Sequence, residues 1–262
     1  MTDTSRHLEG SAPAPASELV VFDLGRVPYG DALALQRDIA RRVITGEIPH
    51  DVLLLLQHPH VITLGRSYKG KTLVASPEYL RSKGVELVEV DRGGDITYHG
   101  PGQLVGYPIF DLKRHTRDLH WYLRQVEEAL IVALGAVGIS ASRRGGLTGV
   151  WVDNRKIASI GVHARDWVTW HGFALNVTTD LSYFDLMVPC GISDVQMTSV
   201  GVERPQLQLD VAAMGKLVAD AFAAVFHRQS GPVSFHRDLS ALGSSHATAA
   251  EDASRRHGGA SA

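Results

Sequence analysis

The chain has 262 residues, of which 44% are hydrophobic and 21% charged, and its formal net charge at pH 7 is -2. This balance is typical of a globular protein with one sizeable core, and a near-neutral chain without long Lys/Arg runs argues against nucleic acid as a partner. The single cysteine excludes an intrachain disulfide and any Cys-x-x-Cys motif.

Both ends of the chain differ in composition from its middle. Residues 1–18 and 240–262 are small, polar and aperiodic, which predicts two disordered tails around one domain spanning 19–239. The N-terminus lacks the basic start and apolar core of a signal peptide, and the longest strongly apolar run, 52–56, is too short to cross a bilayer. We therefore expect a cytoplasmic protein with no membrane partner.

Helix and strand patterns alternate irregularly between the tails. Three-and-four spacing predicts helices at 32–44, 119–137 and 211–225, and a short helix opens at Ser76-Pro77 and ends at Gly84. Strand patterns occur at 19–24, 52–56, 85–90, 104–110, 149–152, 156–163 and 167–177. The last three indicate a meander with turns at 153–154 and 164–166. The predicted fold class is therefore α+β, with a mixed, largely antiparallel sheet flanked by helices.

Cys190 is a candidate nucleophile. It lies in Val188-Pro189-Cys190-Gly191-Ile192, where proline and glycine hold the backbone in a bend, and not within a periodic apolar stripe. The alternative is an inert cysteine that behaves as a small hydrophobe, as most single cysteines do.

Lys156 is a candidate general base at the start of a predicted strand. Strict alternation places it on one face with Ala158, Ile160 and Val162. Loss of hydration against such a face makes a neutral amine accessible near pH 7, and beside a cysteine the ammonium form would stabilise the thiolate. The alternative is a strand-end lysine that extends into water.

The segment 92–103, Arg-Gly-Gly-Asp-Ile-Thr-Tyr-His-Gly-Pro-Gly-Gln, is predicted to be a glycine-rich binding loop. It matches neither the P-loop nor the dinucleotide fingerprint. The alternative is a tight structural corner, which leaves the adjacent Tyr98 and His99 unexplained. No histidine pair has zinc-ligand spacing, so we expect no metal, and no cofactor is indicated. The residues alone indicate a Cys/Lys or Cys/His acyl-transfer site without a defined substrate.

Four blocks, taken in order, resemble the octanoyltransferases of lipoate biosynthesis. They are 92–103, 156–162 (Lys-Ile-Ala-Ser-Ile-Gly-Val), 171–177 (His-Gly-Phe-Ala-Leu-Asn-Val) and 189–192 (Pro-Cys-Gly-Ile), with an earlier block at 58–66. The resemblance covers nearly all of the predicted domain. It implies the fold shared by lipoate and biotin protein ligases.

The resemblance implies transfer of an octanoyl group from octanoyl-acyl carrier protein to a lysine of 2-oxoacid dehydrogenase E2 lipoyl domains or of the glycine-cleavage H protein. It implies that Cys190 carries the acyl group as a thioester and that Lys156 is its acid/base partner. The implied substrate-contact residues are Arg92, Gly93, Gly94, Asp95, Ile96, Thr97, Tyr98 and His99, then Ser159, Ile160 and Gly161, then Gly172, Phe173 and Ala174.

Three other functions remain open. They are an ATP-dependent lipoate protein ligase, a cysteine hydrolase with His99 or His163 as base, and a non-catalytic module that binds acyl carrier protein. The sequence decides neither the acyl chain-length preference nor the oligomeric state. It also leaves open which groups stabilise the oxyanion and whether a histidine assists Lys156.

Overall fold

The computed structural model describes residues 19–188, 195–226 and 234–242. The predicted tails, apart from 240–242, and Cys190 itself lie outside the described residues. The elements in chain order are β1 (Leu19–Arg26), α1 (Tyr29–Thr45), β2 (Asp51–Gln57), β3 (Val61–Leu64), α2 (Pro77–Ser82), β4 (Glu86–Glu89), β5 (Ile96–His99), β6 (Gln103–Ile109), α3 (Leu119–Ala136), β7 (Ser142–Arg144), β8 (Leu147–Val152), β9 (Arg155–Arg165), β10 (Val168–Asn176), β11 (Gln196–Met197), α4 (Val200–Glu203), α5 (Val211–Phe226) and β12 (Ser234–His236), with 3-10 helices at Leu181–Leu186 and Leu239–Leu242.

Two sheets organise these elements. The main sheet has the order β12-β1-β2-β6-β10-β9-β8-β7, with β11 added beside β9, and the small sheet has the order β4-β3-β5. The pairs β12–β1, β1–β2, β9–β11 and β3–β4 are parallel, and the other pairs are antiparallel. The predicted α+β class with a mixed, largely antiparallel sheet is confirmed, as is the meander of β8, β9 and β10.

The helices begin and end where their sequence signals predict. The Asp118 side chain accepts hydrogen bonds from the backbone N–H groups of His120 and Trp121 at the start of α3. Ser76 caps α2 in the same way through Tyr79 N–H, and Gly46 ends α1 with a left-handed φ of 82°. Local capping chemistry therefore sets these boundaries.

Helices pack on both faces of the main sheet. One core lies between the sheet and helices α3 and α5, and includes Val126, Leu130 and Phe222. A second core lies under α1, and the small sheet has a third core of its own. Within the described residues no helix is both long and apolar enough to cross a bilayer.

Two differences from the predicted elements concern the region before β6. Residues 96–99, predicted to belong to one long loop, form β5. Residues 61–64, for which no strand was predicted, form β3 and pair antiparallel with β5. Ile-Thr-Tyr-His is a β-favouring run, and the glycines around it obscured a strand of only four residues. The binding loop is therefore shorter than predicted and is held by a strand on one side.

Candidate active site

A cleft with a cavity volume of about 210 Å³ opens between the main sheet and the loop that precedes β5. The loop lies directly on β9, because the Gly93 N–H donates to the Val162 carbonyl at 3.0 Å. A side chain at Gly161 would place its Cβ 2.9 Å from the Gly93 carbonyl oxygen. Glycine is required at this contact, where two backbones form one wall of the cleft.

The cleft brings the separate sequence blocks together. All of the predicted substrate-contact residues except Tyr98 line it, and they are joined by Lys156, Trp151, Tyr29, Tyr107, His171 and residues 146–148. Tyr98 points away from the cleft because neighbouring residues of β5 face opposite sides. Its ring lies in the core of the small sheet, and its hydroxyl is 2.7 Å from His60 Nδ1. The prediction that Tyr98 contacts substrate is therefore not supported by its position.

Arg92 shapes the loop. Its guanidinium donates to the Thr63 carbonyl at 2.7 Å and to the carbonyls of Gly93 and Asp95 at 3.0 and 3.1 Å. The side chain is buried, so these hydrogen bonds hold the loop in the shape that lines the cleft.

Lys156 lines the cleft, but the predicted alternation around it is wrong. Trp151 pairs with Lys156 and Val150 pairs with Ala158, so Ile157 is an extra residue opposite a single step of β8. This β-bulge reverses the alternation, and Lys156 shares a face with Ser159 and Gly161, away from Ala158. The residue is 4% exposed, and its Nζ lies 5.5 Å from the centre of the Trp151 ring.

Both ends of the segment that contains Cys190 are fixed by described residues. On one side the Val188 N–H donates to the Thr72 carbonyl at 2.7 Å, and Met187 bridges to Leu73. On the other side Met197 of β11 pairs with Lys156, and the Thr198 N–H donates to the Lys156 carbonyl at 3.0 Å. The chain therefore returns from residues 189–194 directly beside Lys156.

Two buried histidines lie at the cleft: His171 lines it, and His58 bonds Tyr107, which lines it. His58 is fully buried, and its nitrogens bond the Val27 carbonyl and the Tyr107 hydroxyl, each at 2.7 Å. His171 Nε2 is 2.8 Å from Asp91 Oδ1. Burial lowers the pKa of both His58 and His171 to about 4, so both imidazoles are neutral at pH 7.

His171, Tyr29, Tyr107 and Trp151 were not predicted to belong to the site. His171 adopts a left-handed φ of 56° within β10, a conformation that no sequence pattern announces. The only available signal was its place at the start of the block 171–177. Across the described residues, no group of three or more His, Cys, Asp or Glu side chains could hold a metal ion.

The fold is that of lipoate protein ligases. A crystal structure of lipoate-protein ligase A bound with ATP matches with a TM-score of 0.66 at 18% identity, covering 85% of this chain and 88% of that one. A chain from the structural analysis of a bipartite lipoate protein ligase and its E2 lipoyl domain from Thermoplasma acidophilum matches with a TM-score of 0.64 at 19% identity, covering 85% of this chain and 86% of that one. At this level of identity the likeness shows the fold alone.

Sequence relationships define the family more narrowly. The model of the lipoyl protein ligase A/B catalytic domain matches residues 28–223, and the chain belongs to that family. Octanoyltransferases from Solibacter usitatus and Koribacter versatilis are each 50% identical to it, over 78% and 80% of this chain and 90% and 84% of their own lengths. The resemblance that the four sequence blocks predicted is confirmed.

Proposed function

We propose that this chain is an octanoyltransferase, an acyltransferase that moves an octanoyl group from octanoyl-acyl carrier protein to a lysine of a lipoyl-domain protein. The acceptors are E2 lipoyl domains and the glycine-cleavage H protein, and we place the reaction in the cytoplasm. The observation that carries the proposal is Lys156, buried in the cleft beside the point where the Cys190 segment returns. The names of the 50%-identical relatives support the same reaction.

The first half-reaction moves the acyl group onto the enzyme. The Cys190 thiolate attacks the thioester carbonyl carbon, a new C–S bond forms, and the bond to the carrier sulfur breaks with its electron pair on that sulfur. Lys156, starting as an ammonium, gives the carrier thiolate a proton and becomes a neutral amine. Exchange of one thioester for another is nearly balanced and needs no ATP.

The second half-reaction delivers the acyl group. The acceptor lysine, entering as a neutral amine, forms a C–N bond to the acyl carbon, and the C–S bond breaks with its electrons on Cys190. Lys156 takes the proton that the amine loses, which restores the thiolate and the ammonium. Formation of an amide from a thioester makes the overall transfer favourable.

The cleft lining fits an acyl chain. Glycine backbone at Gly93 and Gly161 forms one wall, and the apolar residues Leu147, Trp151 and Ala174 also line the cleft. A chain without polar atoms gains its binding energy from such burial, at about 25 cal/mol for each Å² of apolar surface removed from water.

Transfer without ATP tests the proposal. Wild-type enzyme, octanoyl-acyl carrier protein and a lipoyl domain are mixed without ATP, and octanoyl-lipoyl domain is measured by mass. We expect product from the wild type and none from Cys190→Ala. Transfer that requires ATP and free octanoate and survives Cys190→Ala would support the ligase. Octanoate release at one rate with and without lipoyl domain would support the hydrolase.

A further inference from the structure

The side chain of Lys156 lies against the backbone of Gly149 in the neighbouring strand. A Cβ at Gly149 would be 2.7 Å from Lys156 Cε and 3.4 Å from its Nζ. It would also be 2.7 Å from the Ala158 carbonyl oxygen, so a larger residue does not fit there. The amine also lies over the ring of Trp151, which shares its face of β8 with Gly149. The Lys156 amine therefore occupies a slot with glycine backbone on one side.

The backbone of Gly149 departs from regular strand geometry. Its φ of 136° is one that residues with a side chain rarely adopt. Four steps of β8, from Leu147 to Trp151, oppose only two steps of β7, from Arg144 to Ser142. Gly149 lies in this irregular stretch, and its N–H donates to a side chain instead of to a neighbouring strand.

Glu127 of α3 is the acceptor. Its Oε1 accepts the Gly149 N–H at 3.1 Å, and its Oε2 is 2.6 Å from Arg124 Nη1 and 3.2 Å from Arg143 Nε. Glu127 is fully buried, so loss of its bond to Gly149 would leave a buried N–H without a partner. One carboxylate thus ties α3, β7 and the irregular part of β8 together.

Glu127 and Lys156 approach β8 from opposite faces of the main sheet. Helix α3 covers the face that carries Val150, whereas Lys156 lines the cleft on the other face. The Gly149 backbone connects them, because its N–H bonds Glu127 and its α-carbon borders the lysine stem. A lysine side chain is long and flexible, so its amine is precisely placed only where its surroundings confine it. A displaced Gly149 would change that confinement.

We propose that Glu127 is a positioning residue for Lys156. By holding the Gly149 backbone from the far side of β8, Glu127 fixes the slot in which the Lys156 amine gives and takes its proton. The inference rests on the proposed function, which assigns that task to Lys156. Glu127 itself contacts neither the acyl group nor the acceptor, and it acts through the backbone of Gly149.

Two substitutions at Glu127 separate the reach of its side chain from its charge. Glu127→Gln loses the charge but keeps an oxygen that reaches the Gly149 N–H, since the partly exposed arginines can turn to water. Glu127→Asp keeps the charge but is one methylene shorter, which draws the carboxylate away from Gly149. Glu128→Asp is the matched control, because Glu128 follows on the same helix, is partly exposed and bonds the same Arg143.

Turnover of octanoyl-acyl carrier protein with lipoyl domain is measured as kcat and KM, together with the melting temperature. We expect Glu127→Asp to lower kcat roughly tenfold to a hundredfold without raising KM for the carrier, because a small displacement of a reacting group costs rate and not binding. Glu127→Gln and Glu128→Asp should keep kcat near that of the wild type. Lys156→Ala combined with Glu127→Asp should be no slower than Lys156→Ala, because both changes act through one amine.

A low kcat in Glu127→Gln would overturn the inference even if Glu127→Asp does not fold, because the charge and not the bond to Gly149 would then matter. Wild-type kcat in Glu127→Asp would also overturn it, as would a further loss in the combined variant. These results would leave the proposed function standing. Wild-type enzyme that takes no acyl group on Cys190 from octanoyl-acyl carrier protein would overturn the proposed function as well.

Discussion

Lys156 reaches the cleft because β9 contains one more residue than the opposing stretch of β8. Without Ile157 as a bulge, the lysine would point toward the core under α3 and α5, where an ammonium has no water. With it, Lys156 lies on the cleft face and borders the returning Cys190 segment. Bulges often redirect a single side chain in this way next to an active site.

Replacement of Lys156 by alanine tests this role. We expect Lys156→Ala to slow both half-reactions by about 10²–10⁴-fold, the usual contribution of a positioned acid/base group. Circular dichroism and the melting temperature should change little, because the proposed role is proton transfer. Lys216→Ala, on the exposed side of α5, is the control and should keep wild-type turnover. Wild-type acylation in Lys156→Ala would remove the lysine from the mechanism.

The buried histidines predict a pH dependence of stability. His58 and His171 have pKa values near 4 in the folded protein and about 6.5 when unfolded, so the unfolded state binds more protons between these values. Stability should therefore be full above pH 6.5 and fall as the pH drops toward 4. Urea unfolding at pH 7, 6 and 5 measures this slope. His171→Asn should reduce the slope, and an unchanged slope would contradict the assignment.

At the scale of elements, the contact between β6 and β10 beside the cleft leaves no room for a side chain at two glycines. A Cβ on Gly172 would lie 2.2 Å from the Gly106 carbonyl oxygen, and a Cβ on Gly106 would lie 2.1 Å from the Phe173 ring. Two glycines therefore let the two strands lie this close, and the absence of a side chain at Gly106 makes room for the Phe173 ring in the core. The close approach explains why the block 171–177 needs glycine at its second position.

Gly172→Ala should destabilise the fold by about 1–3 kcal/mol, as overpacking of a tight core does. The control is Gly135→Ala in α3, where a Cβ meets nothing within 4 Å. An alanine there should be neutral or stabilise by about 0.5–1 kcal/mol. Thermal and urea unfolding measure both. Equal stability of the two variants would contradict the close approach of β6 and β10.

At the scale of the whole molecule, much of the architecture follows from the sequence. Helical periodicity and caps placed α1, α3 and α5 within a few residues, because those signals are local. Three features could not be predicted, since each depends on a neighbouring strand that is not determined by local sequence. They are the bulge at Ile157, the left-handed backbone of His171 and the pairing of β5 with β3. The cleft residues were found through motif resemblance. The side chains of Tyr29 and Tyr107 join them only through the tertiary fold.

The predicted C-terminal boundary at residue 239 falls within the 3-10 helix Leu239–Leu242. Leu242 is buried in the core under α1, and its carbonyl accepts a hydrogen bond from Arg42. Removal of residues 243–262 should leave the melting temperature and activity unchanged, whereas removal from Leu239 onward should lower the melting temperature by several degrees. Equal melting temperatures of the two truncated proteins would show that this helix contributes nothing to the core.

The central claim is that Cys190 carries the acyl group, and the intact mass of the protein tests it most directly. Wild type and Cys190→Ser are mixed with octanoyl-acyl carrier protein without ATP and without acceptor. The account predicts a gain of one octanoyl group on wild type, removed by hydroxylamine or by added lipoyl domain, and no such labile adduct on Cys190→Ser. No adduct on wild type, with transfer appearing only when ATP and free octanoate are supplied, would contradict it.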